Sequence, residues 1–358
     1  MAGKFVSAKF SEINLSDPFF NSLKSDYPEF SSWFKRKAEE KREALVFSDD
    51  LGLGAFVATK NECEPLQLKN AIIPAKPRLK ITTLYLADRF RGQRLGEGAI
   101  GLILWQWQQL NIEEIYVTVF PTHLDVLQQL YRFGFVHIGE NNRGEFVLIR
   151  SRKSIDYSDP YKSFPYLSRR FQKGGYLIVE DSFHDTLFPY SELKNTIQEQ
   201  LAVDAANGIS KIYIGNQPYV HYQIGEPVFI YRKFTGEKGK RFKSCLTSYC
   251  IVSGITQVKK NNIPLIDYNG YLDVVGNKSV FTNEELWKKY YQARNLMVIQ
   301  LLYVGYFGQG NNVNMDWLDN NGLWALNGGY PTETQLQPDQ CEKIWQQGGL
   351  NLINIYGA

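Results

Sequence analysis

Hydrophobic and polar positions change rhythm repeatedly along the first 150 residues. Lys4–Phe10 alternates as a half-buried strand does. Ser16-Asp17-Pro18 opens a helical stretch through Leu23, and Tyr27–Pro28 opens another, SSWFKRKAEEKREA, ending near Ala44 with a mixed-charge solvated face. Leu45–Ser48 and Gly54–Lys60 read as strands joined by the turn Asp49-Asp50-Leu51-Gly52. Glu62–Arg78 carries three prolines and reads as a loop. Leu79–Leu86 (LKITTLYL) is a strand, followed by a glycine-rich turn and a helix from about Gly96 to Leu110. Ile115–Phe120 is a strand, Leu124–Phe133 a helix stopped by Gly134, and Phe135–Gly139 with Glu145–Ile149 a hairpin. Strands with interleaved helices predict an α+β or α/β domain.

Ser151–Lys173 is polar and contains Pro160 and Pro165, so residues 153–173 are expected to be a linker. The texture then changes. Tyr176–Val179 is a strand, and Tyr190–Ala206 a helix closed by Asn207–Gly208. Strands come next at Lys211–Ile214, Pro227–Lys233, Cys245–Ile255 and Met297–Phe307. Thr282 and Glu285 form a capping box before ELWKKYYQA, and Pro338 opens a last helix stopped at Gly348–Gly349.

Composition narrows the picture. The chain has 358 residues, more than one average domain, with 44% hydrophobic and 22% charged positions. A net charge of +3 means that any nucleic-acid site is a local patch. The cysteines at 63, 245, 250 and 341 form no CxxC pair and read as reduced thiols, and four scattered histidines give no metal-ligand spacing. No apolar run approaches the roughly 20 residues of a membrane span, and MAGKFVSAKF lacks a signal-peptide core; the expectation is a cytoplasmic protein.

The turn Asp88–Leu104, DRFRGQRLGEGAIGLIL, holds the candidate chemistry. Glycines between a strand and a helix let backbone N–H groups approach an anion. A P-loop needs a Lys-Ser or Lys-Thr pair that this turn lacks. The dinucleotide pattern GxGxxG occurs as Gly96-Glu97-Gly98-Ala99-Ile100-Gly101, but several residues separate it from the strand, and no acidic residue ends the next strand, Val119-Phe120-Pro121. A plain strand–turn–helix junction remains the bland alternative.

Gln93-Arg94-Leu95-Gly96-Glu97-Gly98 resembles the acyl-CoA loop of the GCN5-related N-acetyltransferases (GNAT), Q/R-x-x-G-x-G/A after the fourth strand. Aligned instead on RGxGxG, Arg91-Gly92 fits and Arg94 replaces a glycine, a change tolerated only if Arg94 takes the local backbone conformation without strain. Leu130-Tyr131-Arg132-Phe133-Gly134-Phe135 is similar to that family's LYxxxGF region, one residue shorter. The resemblance implies a mixed sheet flanked by helices over residues 1–152. It further implies acetyl-CoA as cosubstrate, with its pyrophosphate held by Arg91, Gly92, Gln93, Arg94, Leu95, Gly96, Glu97 and Gly98, and its pantetheine arm held by backbone near Leu84 and Leu86. Tyr131 would be the acid that protonates the leaving thiolate. The glutamate that many relatives carry on the fourth strand is missing; Asp49, Asp50 and His123 are candidate bases by location only.

Residues 174–358 are similar to PUA-like barrels, the group of the ASCH and EVE domains, through GEPVFIYR and YCIVSGI. That resemblance implies RNA or an RNA-bound protein as a partner. The basic segment Arg232–Lys243, with Tyr231, Phe234 and Phe242, would meet phosphates and stack on bases, although lysines at a hairpin tip also simply keep it soluble. Together these readings predict an α+β chain, an N-acetyltransferase domain followed by a β-rich PUA-like barrel. The alternative is a regulatory or antitoxin-type protein in which the first domain is a scaffold and the second binds nucleic acid or a partner protein.

Overall fold

The computed structural model describes residues 4–110, 112–191, 193, 204–325 and 331–357. The chain divides into two units, 1–154 and 155–358. The fold is α+β.

The first unit is built on strands β1 (Val6–Lys9), β2 (Glu43–Asp49), β3 (Gly52–Glu62), β4 (Arg78–Leu86), β5 (Glu114–Val119), β6 (Val136–Glu140) and β7 (Phe146–Ser151). Their order in the sheet is β1-β2-β3-β4-β5-β7-β6. Only β4 and β5 run parallel, because helix α3 (Leu95–Gln109) makes the crossover between them. Helices α1 (Asn21–Asp26) and α2 (Phe30–Glu39) cover one face through Phe20, Leu23, Phe30 and Phe34, which pack with Phe56 and Ala58 of β3. Helix α3 is buried nearly all round, as its run of Leu, Ile, Ala and Trp dictates. Helix α4 (Leu124–Arg132) buries Leu127 and Leu130. The proline-rich segment before β4 is fastened by Arg78, 1% exposed, which donates to Glu114 at 2.7 Å and to the carbonyls of Glu64 and Pro74.

In the second unit β8 (Gly175–Glu180), β9 (Ser210–Gly215), β10 (Pro227–Lys233), β11 (Cys245–Lys260) and β12 (Leu296–Tyr306) form the order β8-β10-β11-β12-β9. The 16-residue β11 shifts register against β12 at three places, and each irregularity adds bend, so the sheet curls into a half-barrel. The predicted linker is not one. It contains a short helix α5 (Pro160–Ser163), and Phe164, Tyr166, Leu167 and Phe171 are buried in the second unit. Its prolines and charges hid these apolar anchors. Phe171 joins Phe229 and Tyr249 around Trp345 of the helix Pro338–Gln347. Most of the predicted helix Tyr190–Ala206 lies outside the described residues.

Helix α6 (Asp181–Leu187) carries a buried polar hub that the sequence did not advertise. His184 sits between Asp185, 2.7 Å from Nδ1, and Thr247, 2.7 Å from Nε2. Arg232 holds Asp185 through two bonds of 2.8 and 2.9 Å. Burial pushes the His184 imidazole below its ordinary value of 6.5, outweighing the opposite pull of Asp185. The folded unit therefore keeps His184 neutral where the unfolded chain protonates it, so stability is full above pH 6.5 and declines as pH falls below it. Urea denaturation at pH 7 and pH 5 should show this decline, reduced in His184→Gln. Arg232→Met, which leaves Asp185 buried without its cation, should cost about 3–5 kcal/mol at pH 7.

Candidate functional site

β4 and β5 are paired only at Arg78–Ile81 with Glu114–Val117. At that point β4 carries one extra residue. Ala58 of β3 faces Thr83 and Thr59 faces Ile81, so Thr82 is bulged, its hydroxyl donating to the Ala58 carbonyl at 2.9 Å. A bulge bends its strand and re-aims the residues beyond it. Past Thr82, β4 continues to Leu86 and β5 to Val119 without pairing to each other, and Thr82–Leu86 are all half-buried. The result is a cleft between two parallel strands. One wall presents the backbone of Leu84 and Leu86, whose register partners on β3 are Val57 and Ala55.

The glycine turn lies at the open end of this cleft. It is seated by two residues that sequence reasoning missed. Phe90 lies so close over Gly54 that a Cβ there would come within 2.4 Å of its ring. Arg89 donates to Asp49 at 2.7 and 3.1 Å and to the carbonyls of Gly52 and Leu53. The signal was Gly54 together with an acidic β2–β3 turn. These bonds remove Asp49 from the candidate bases, since the Arg89 hydrogen bond holds its carboxyl below the usual range. Asp50 is exposed in the turn.

Gly92 has φ +78° with nothing within 4 Å of where a Cβ would stand. Arg94 has φ 63° and ψ 8°, the left-handed region that glycine enters freely, and it caps α3. Its guanidinium turns inward, 3.3 Å from Glu97, and both side chains are 7% exposed. Of the two arginines considered for the pyrophosphate, Arg91 is the exposed one, paired at 3.1 Å with exposed Asp88. The first helical bond runs from Gly98 N–H to the Arg94 carbonyl. The N–H groups of Leu95 and Gly96 precede it and have no acceptor within the helix. A Cβ on Gly96 would meet only Leu86, at 3.8 Å. The Leu95 side chain is buried, so both Leu95 and Glu97 face the interior and offer a ligand only their backbone.

Tyr131 is 41% exposed near the end of α4, next to buried Leu130. His123 precedes α4, exposed, with its ring 6.4 Å from that of Phe120 just after β5. In the second unit most of the basic segment Arg232–Lys243 is exposed, Phe242 at 64%, but its first residues are not. Tyr231 and Arg232 are in the core, contrary to their predicted contact with nucleic acid, and Arg241 pairs with Asp316 and Asp319 at 2.7 and 3.0 Å. Among the described residues no helix is long and apolar enough to cross a membrane.

No protein-family profile matches the chain, and no curated protein matches it. Solved structures similar to it include an Arabidopsis thaliana NAA60 in complex with a bisubstrate analogue, at 13% identity and TM-score 0.31, covering 41% of this chain and 98% of that one. PaiA N-acetyltransferase from Thermoplasma acidophilum in complex with coenzyme A matches at 13% identity and TM-score 0.31, covering 42% and 99%. A mutant form of the ZmASCH protein from Zymomonas mobilis matches at 10% identity and TM-score 0.31, covering 49% and 96%. At such values the likenesses carry no argument about activity.

The turn itself can be tested for stability. Arg94→Gly relieves a left-handed backbone worth about 1–2 kcal/mol but takes the cation away from the buried Glu97 carboxylate, a loss of about 3–5 kcal/mol. The expected net effect is destabilisation by about 1–4 kcal/mol in chemical denaturation, largely recovered when Glu97→Gln is added.

Proposed function

We propose that the first unit binds acetyl-CoA and transfers its acetyl group to an amine. The observation that carries this reading is the Thr82 bulge, which opens the β4–β5 cleft directly onto the glycine turn. An extended arm of alternating amides can lie along the open edge of β4 as an added strand does. Its diphosphate end then reaches the start of α3, where N–H groups and the helix dipole favour negative charge. Gly92 keeps that approach clear, and exposed Arg91 supplies a cation. The β4 backbone at Leu84–Leu86 would also polarise the thioester carbonyl, stabilising the oxyanion that forms on attack. When bound, acetyl-CoA supplies the activated acyl group; the chain supplies position and protons. Tyr131 serves as the acid that protonates the departing sulfur.

Calorimetry of acetyl-CoA binding tests it. Wild type and Gly96→Ala should bind alike, since Leu86 leaves room for a methyl group, whereas Gly96→Glu should lose binding through charge and bulk. No binding by folded wild type sinks the proposal. Tyr131→Phe should retain CoA affinity while thiol release falls about 100-fold; an unchanged rate would remove Tyr131 from the mechanism.

A further inference from the structure

An amine that attacks a thioester must lose a proton, and the sequence offered no convincing acceptor for it. The structure holds a carboxylate beside the end of β5 that sequence reasoning passed over. Glu145 immediately precedes β7, whose Phe146 is paired with Val119, so Glu145 stands across from Phe120 where β5 ends. Above it runs the segment that spans the cleft mouth on that face of the sheet. Phe19 packs its ring on Tyr85 of β4 at 4.9 Å, and Tyr27 packs on Phe120 at 6.2 Å.

Glu145 is only 5% exposed. The Tyr27 hydroxyl donates to its Oε1 at 3.4 Å, and Asn141 Nδ2 donates to Oε2 at 2.7 Å. A carboxylate has about four acceptor positions, so two donors leave capacity for a third. Burial, and then the neighbouring Glu145 charge, pushes the Tyr27 hydroxyl up to about 12, so Tyr27 remains a donor at neutral pH. Arg143 lies over the Tyr27 ring at 5.3 Å and pairs with Glu29 at 3.3 Å. That outer pair is more than half exposed on both sides and contributes little to stability.

We propose that Glu145, oriented by Tyr27 and Asn141, accepts the proton of the attacking amine. This inference rests on the acetyl-transfer reading of the first unit. The amine nitrogen bonds to the thioester carbonyl carbon, the C–S bond breaks, the amine proton passes to Glu145, and the sulfur leaves with a proton from Tyr131. The charged and titratable groups around Glu145 are Tyr27, Asp26 and Glu29 from the α1–α2 segment and Arg143 from its own hairpin, with His123 across Phe120. A carboxylate base gives a rate that falls on the acid side.

The test uses full-length protein, acetyl-CoA, and spermidine or a lysine-containing peptide as acceptors, with thiol release followed across pH and acetyl-CoA affinity measured in parallel. Glu145→Gln should lower kcat about 100-fold and abolish the acid limb with CoA affinity unchanged. Tyr27→Phe should keep most of the rate, and His123→Ala should keep the limb. Survival of the acid limb in Glu145→Gln, or its loss in His123→Ala, overturns the assignment. So does CoA binding without transfer to either acceptor. Failure of wild type to bind CoA instead overturns the underlying reading.

Discussion

One additional residue in β4 determines what the first unit can do. The bulge at Thr82 falls where the pairing of β4 with β5 ends, and a parallel pair bonded along its whole length is a closed, buried wall. Here pairing stops at Ile81 and Val117, and both strands run on unpaired to each other. The bulge also switches the faces of β4. Leu79 and Ile81 share a face with Ile115 and Val117, their partners on β5. Past Thr82, Tyr85 joins the α1–α2 core, and Leu86 reaches toward Gly96 at the start of α3. The same irregularity thus lies between the paired part of β4 and the part whose Leu86 reaches the glycine turn.

The surrounding interactions hold that opening in place from both ends. At the closed end Arg78 ties β4 to Glu114 and to the loop before it. At the open end Arg89 and Phe90 fasten the turn to the β2–β3 hairpin. Charge is used inward at several of these points. Arg94 neutralises Glu97 beneath the turn, so its left-handed backbone is retained where a glycine would be easier. In the second unit Arg232, Asp185, His184 and Thr247 make a comparable buried arrangement that joins α6 to β10 and β11. Each is costly to break from one side, because the partner left behind is a charge without water.

How much of this was legible in the chain depended on the range of the forces involved. Local signals held well. The alternation in LKITTLYL, the stop at Gly134, the Thr282–Glu285 box and Pro338 each act within a few residues, and each produced its element close to the predicted bounds. The glycine pattern likewise marked the turn, and Arg94 does sit in the backbone conformation that its glycine-like position demanded. The segment 153–173 misled because prolines and charges describe its surface, whereas its aromatic residues are judged by what they pack against.

The sequence by itself therefore determined the order of strands and helices in the first unit, the position of the glycine turn and the presence of a tyrosine on the next helix, since these depend on periodicity and backbone preference. Only the tertiary structure decided that Thr82 is bulged, that Asp49 belongs to Arg89, that Arg94 faces inward, and that Glu145 meets Tyr27 across 118 positions of chain. Those outcomes depend on strand register and on which charges lose their water together, and neither is written in any stretch of neighbouring residues.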